Sequence, residues 1–135
     1  MDTSKPGPLL MLGGGALMVI ATLLDWRGES AGLSFDSMGL FGIVVLLSGL
    51  MIAAVGGIRA FGANVSLPDD IAGFSLDQIC LVDAFTAFIW TFALISGDFV
   101  EIGVHLTWLG AAIAATGAAL NLRTPATGAA PGGGS

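Results

Sequence analysis

Polar and apolar positions alternate along this chain in blocks rather than at a helical or strand period. Four apolar stretches, each close to the length that crosses a bilayer, are separated by short polar connections. The first runs from about Leu9 to Leu24, 16 uncharged residues, and about 18 with Pro8 and Asp25 taken as its rims. Trp26 stands where an interfacial aromatic belongs, with Asp25 and Arg27 beside it at headgroup level. A lone Lys5 before an apolar run also fits a secretory signal peptide, but the stretch from Thr22 to Trp26 offers no small-x-small cleavage site. A retained helix over about 9–25 is therefore expected, after a short cytoplasmic N-terminal segment, 1–8.

The connection from Arg27 to Asp36 carries Gly28, Glu29, Ser30, Gly32 and Ser34, a polar, turn-forming mix. The second stretch follows over about 37–59; its 22 residues from Ser37 to Ile58 hold no charge. Gly49, Ala53 and Gly57 recur at every fourth residue along it. Such a strip of small side chains lets helix backbones approach closely in lipid, although Gly and Ala are common in membrane helices generally. After Arg59 a loop of roughly 15 residues passes Pro68, Asp69 and Asp70. Ser75 and Gln78 then form a capping-box pattern that starts the third helix, about 75–97. Asp77 falls in its first turn, where the positive end of the helix dipole favours a carboxylate. A tight turn holding Asp98 and Glu101 leads to the fourth helix, about 102–122, which carries a second small strip at Gly110, Ala114 and Ala118 and ends at Arg123. Residues 124–135 are Pro, Gly, Ala, Ser and Thr, a flexible low-complexity tail with a linker-like Gly-Gly-Gly-Ser end.

Composition agrees with the block pattern. The chain is 55% hydrophobic and 10% charged, against roughly 25% charged in soluble domains, with a mean hydropathy of +0.91. Four helices consume most of the 135 residues and leave no room for a separate folded domain. The expected fold is all-α, an integral membrane four-helix bundle whose first partner is the lipid bilayer. The net charge of −6 comes from scattered acids, and no basic patch for nucleic acid exists. Lys5, Arg59 and Arg123 fall on one side of a four-span arrangement and Arg27 on the other, which places both termini in the cytoplasm.

Asp83 is the one acid well inside an apolar stretch. A bare carboxylate in hydrocarbon costs on the order of a few kcal/mol or more, so it is paired, protonated or wet. It lies eight residues past Ser75, about 12 Å along the helix axis, nearer the cytoplasmic side than the centre. Its neighbours at three and four residues are Ile79, Cys80, Thr86 and Ala87. Thr86, Arg59 and Arg123 are its candidate partners, the arginines through snorkelling side chains that reach Asp83 or settle on Asp77. Two readings follow: a proton- or cation-handling carboxylate, or a neutralised carboxylate that sets helix register. A working ion path needs polar groups at several depths, and the middle of this bundle offers little besides Ser48, Thr86, Thr91 and Thr116.

The remaining candidates are weaker. Cys80 cannot form an intrachain disulfide and reads as a small buried hydrophobe. His105, near Glu101 and the outer acids, suits an interfacial position better than a metal site or an external pH sensor. Asp77 and Asp83 are six apart, about 600° around the helix, and make a poor catalytic pair. No catalytic, cofactor or metal residues are assigned, and a non-enzymatic role is expected.

The landmarks also carry a resemblance. Leu24-Asp25-Trp26 ending a short first helix, a Gly/Ser-rich external loop from Gly28 to Gly39, a helix pair, and Trp108-Leu109-Gly110 in the last helix resemble small uncharacterised four-span membrane proteins common in actinobacteria. Asp25 stands here for the proline of their usual leucine-proline-tryptophan. The likeness covers about residues 8–122, and that group brings no established activity or site. In size and span number the chain is also similar to small multidrug-resistance transporters. Their coupling carboxylate lies in the middle of the first helix, whereas here the acid lies in the third. The expected function is that of a structural or accessory membrane subunit, a homo-oligomer or part of a larger membrane complex. The alternative is an oligomeric proton-linked small transporter or channel using Asp83.

Overall fold

The computed structural model describes residues 6–27, 30–31, 40–62, 64–68, 70–95 and 102–123. Helix α1 spans Pro6–Thr22, α2 Leu40–Phe61, α3 Leu76–Leu94 and α4 Ile102–Arg123. Two short antiparallel ribbons join them: β1 (Asp25–Arg27) with β2 (Ser30–Ala31), and β3 (Asp70–Ile71) with β4 (Phe74–Ser75). Three helices, α2, α3 and α4, are long and apolar enough to cross a membrane; α1, with 17 residues, is shorter. Lys5, the acids Glu29, Asp36, Asp69, Asp98 and Glu101, and the tail 124–135 lie outside the described residues.

Each boundary has a local cause. Helix α1 starts at Pro6, three residues before the expected position, because Pro6 and Pro8 occupy the first turn, where the missing N–H has no helical partner anyway. It ends at Thr22, so Asp25 and Trp26 belong to a ribbon rather than to the helix rim. Helix α2 runs two residues past Arg59 and stops before Gly62, whose φ of +63° is the left-handed turn that closes many helices. The β3–β4 ribbon turns through Ala72 and Gly73 at φ +55° and +88°, a two-residue loop with both central residues in the left-handed region. This ribbon occupies what the sequence suggests is open loop. It delivers Ser75 to the start of α3, where the Ser75 hydroxyl accepts from the Gln78 amide at 3.2 Å and Gln78 Oε1 accepts from the Ser75 amide at 2.8 Å.

The helices form an up-down-up-down bundle with every packed pair antiparallel. Helix α1 is the inner element, lying between α2 and α4, while α3 packs mainly on α4 and touches α2 only sparsely. Met11, Met18, Ile52, Cys80 and Ala114 are fully enclosed in the shared core. The close seams of α1 are built on glycine. A Cβ on Gly14 would lie 2.5 Å from the Ala114 amide nitrogen and Gly110 oxygen of α4; one on the adjacent Gly15 would lie 2.6 Å from the Ala53 nitrogen and 2.7 Å from the Gly49 oxygen of α2. Neighbouring residues of α1 thus press against opposite partners. Further along, Gly56 of α2 meets Pro8 and Leu12, and Gly117 of α4 meets Gly7 and Met11.

The small strips therefore follow a different spacing from the expected one. Two steps of four residues advance 800°, which is 80° off the starting face, while a four and a three advance 700°, only 20° short of it. Close approach accordingly uses Gly49, Ala53 and Gly56 in α2 and Gly110, Ala114 and Gly117 in α4. Gly57 meets only the flexible end of Leu12 at 3.4 Å, and Ala118 is fully buried in the core.

Candidate functional site

The fourth seam, between α2 and α3, is the wide one. Gly49, Gly56 and Gly57 of α2 all face α1 and α3 has no glycine; side chains bridge the two helices at three levels. Near the upper end Phe41 stacks on Trp90 with ring centroids 5.5 Å apart. In the middle the Ser48 hydroxyl donates to Asp83 Oδ1 at 2.9 Å. At the lower end Arg59 Nη1 donates to Asp77 Oδ1 in an ion pair. From Phe41 to Ser48 and from Asp83 to Trp90 are seven residues each, so the upper two contacts lie at matching heights.

Between these bridges the seam opens outward into a cavity of about 520 Å³. Met51, Phe74, Ile79 and Val82 supply its apolar walls, and Gln78, Asp83 and Thr86 its polar groups. Asp83 is half-buried, and Ser48 is the one hydrogen-bond donor it meets among the described residues. Thr86 lies one turn above it on the same face but turns its proton away, donating to the Val82 carbonyl at 2.7 Å. Both Asp83 and the Thr86 oxygen therefore present acceptor lone pairs to the cavity.

The arginines lie elsewhere. Arg59 reaches back along α2 to Asp77 rather than to Asp83, and Arg123 is exposed at the end of α4 with no ion pair among the described residues. Asp77 is more than a helix-dipole residue: its Oδ1 also accepts from Asn121 Nδ2 at 3.2 Å, and the same amide nitrogen lies 3.2 Å from Met11 Sδ. Asp77, Arg59 and Asn121 thus tie α2, α3 and α4 together at one end, against α1. Asn121 has no motif around it; its only signal is an uncharged amide in the last turn of an apolar helix.

The other candidates resolve into packing. Cys80 is a free, fully buried thiol. His105 Nδ1 accepts from Trp108 Nε1 at 3.2 Å, and Trp108 meets Phe88 and Phe92 edge-on. Among the described residues no three His, Cys, Asp or Glu side chains converge as a metal site would require. The buried hydroxyls of Thr22, Thr91 and Thr107 each donate to a carbonyl of their own helix, at 2.7 to 2.8 Å. No known protein family, curated protein or solved structure matches the chain.

Proposed function

We propose that the chain is a multi-pass membrane protein of the small four-span kind, with both termini cytoplasmic, and that it serves as a non-enzymatic structural or accessory subunit within an oligomer or larger membrane complex. One observation carries the functional part. Of the buried hydroxyls among the described residues, only that of Ser48 leaves its own helix; the others are spent on local carbonyls, so these residues form no relay of polar groups from one end to the other. A lone bundle of this kind holds itself together and does not conduct.

The position of α1 supports its being a fourth span despite its length. It is flanked by two apolar helices and contacts α4 from Gly7 to Gly14, which keeps it at the depth of its neighbours. Its 17 residues rise about 26 Å against a hydrocarbon core of about 30 Å, and enclosure between α2 and α4 spares it most of the mismatch. Helix α3 supports the association. It is the least enclosed of the three long helices, and Val82, Phe85, Ile89 and Trp90 point outward, Val82 at 65% exposure. That face suits lipid and a neighbouring subunit alike.

Purification in mild detergent followed by mass measurement tests the reading: a defined oligomer or stoichiometric partner is expected, and a solitary monomer refutes it. Orientation is tested with Ser66→Cys in a Cys80→Ala background, where an impermeant maleimide should label only opened cells. The second reading, proton-linked transport in an oligomer, draws on the Asp83 cavity. It predicts that Asp83→Asn abolishes a flux in reconstituted vesicles while insertion is unchanged, and an unaltered flux removes it.

A further inference from the structure

The α2–α3 cavity combines an open volume, apolar walls and a carboxylate. Its volume of about 520 Å³ lies within the range of small-molecule sites, its walls are mostly apolar, and its few polar groups, Gln78, Asp83 and Thr86, follow one another along α3. Around Asp83 and Thr86 the available chemistry is that of acceptors; the donor among the lining side chains is the Gln78 amide, five residues or about 7.5 Å below Asp83 along α3. Asp83 carries up to four acceptor positions, of which Ser48 satisfies one. Thr86, its hydroxyl proton committed to Val82, adds a further acceptor one turn away. Neither arginine enters, because Arg59 is held by Asp77 and Arg123 lies beyond the end of the seam. A second copy of this chain brings no cation to that depth either, since α2 and α3 carry none between Leu40 and Ile58 or between Leu76 and Leu94.

What fits an apolar cleft floored by acceptors is a molecule with a donor-rich cation on a hydrocarbon body. We infer that the α2–α3 cleft binds a lipophilic primary amine, its ammonium group hydrogen-bonded to Asp83 and Thr86 and its hydrocarbon lying against Met51, Ile79 and Val82. The ammonium supplies the three donors that the acceptors lack, and the chain replaces lipid or water against the walls. This rests on the membrane reading, since the cleft opens towards the hydrocarbon, but not on the association of subunits.

The test uses the full chain in nanodiscs holding a single copy, so that failure to oligomerise leaves the readout intact. A diazirine-bearing octylamine is photolysed and the labelled residues are mapped by mass spectrometry, with unlabelled octylamine or octanol as competitor. Saturable labelling of α3 around Val82 and of Met51 is expected, with octylamine competing about tenfold or more better than octanol, the value of one hydrogen bond to a charged group. Asp83→Asn should weaken the amine by a similar factor and leave octanol unchanged, and Ser48→Ala, which frees a carboxylate position, should not weaken it. Equal competition by octanol and octylamine on the unmodified protein overturns the inference, as does full amine binding by Asp83→Asn. Should that variant fail to insert, Met51→Trp, which fills the cleft with Asp83 intact, must abolish saturable labelling; retention of labelling overturns the inference.

Discussion

Three consecutive glycines, Gly13, Gly14 and Gly15, allow the bundle's packing to be tested with its own control. Alanine at Gly13 meets nothing within 4 Å, so the substitution adds only helix propensity, a gain of at most about 1 kcal/mol. Alanine at Gly14 places its methyl 2.5 Å from backbone atoms of α4, about 1 Å inside ordinary van der Waals separation. Backbone cannot rotate away as a side chain can, so α1 and α4 must part. A gap of that order forfeits a quarter to a half of the dispersion well along the seam, and overpacking of this kind costs about 1–3 kcal/mol. Alanine at Gly15 does the same to the seam with α2, at 2.6 Å from the Ala53 nitrogen. Reversible unfolding in mixed micelles should therefore rank the variants as Gly13→Ala at or above wild type, with Gly14→Ala and Gly15→Ala about 1–3 kcal/mol below it. Cysteine pairs placed across each seam should then report loosening of α1–α4 for Gly14→Ala and of α1–α2 for Gly15→Ala. Three equal effects, or a loss at Gly13, would refute the packing described here.

Further outcomes follow from the lower end of the bundle and its ribbon. Removing the Arg59 side chain leaves Asp77, 18% exposed, with Asn121 and the helix N-terminus as its remaining support; a loss of about 1–2 kcal/mol is expected, falling between exposed and fully buried ion pairs. A double-mutant cycle with Asp77→Asn should recover a coupling near 1 kcal/mol, and strict additivity would show that the pair contributes nothing. Ala72 holds a left-handed φ of +55°, which disfavours an L side chain by about 1–2 kcal/mol, so Ala72→Asn should stabilise the β3–β4 ribbon, read as slower amide exchange of Phe74 and Ser75. Ser75→Ala removes the α3 cap and should lower stability by about 1 kcal/mol, whereas Ser75→Asp should restore most of it; a neutral Ser75→Ala would show that the capping box is not a stabilising feature.

What is legible in the sequence divides by the range of the interaction. Hydropathy marks the apolar helices because a bilayer constrains each segment alone, and Ser75 with Gln78 marks the start of α3 because a capping box is complete within four residues. Pro6 and Pro8 mislead for a related reason: proline reads as a boundary, yet in the first turn it is part of the helix. The glycine seams are half legible. A run of small residues shows that close approach is available, but the choice of Gly56 over Gly57 and of Gly117 beside Ala118 follows from helical drift against a partner fixed elsewhere. Asp77 with Asn121, 44 residues apart, and Ser48 with Asp83, 35 apart, have no local trace at all. Each is an ordinary polar residue until the fold sets it opposite another.

The bundle's four seams are consequently unequal, and the inequality bears on function. Along α1 the helices touch backbone to backbone, so any separation gives up contacts over the whole length of the seam. The α3–α4 seam adds the Phe88, Phe92 and Trp108 cluster, whose ring pairs contribute about 0.5–1.5 kcal/mol each beyond simple burial. Between α2 and α3 the polar and ring contacts of the described residues are discrete, among them a ring stack, a hydroxyl–carboxylate bond and an ion pair, with open space beside them. Discrete contacts can be broken or exchanged singly, so the Ser48–Asp83 bond can be given up without disturbing α1. Asp83 therefore lies where the molecule can tolerate a change of partner, and the glycine-built core supplies the rigid frame against which such a change is made.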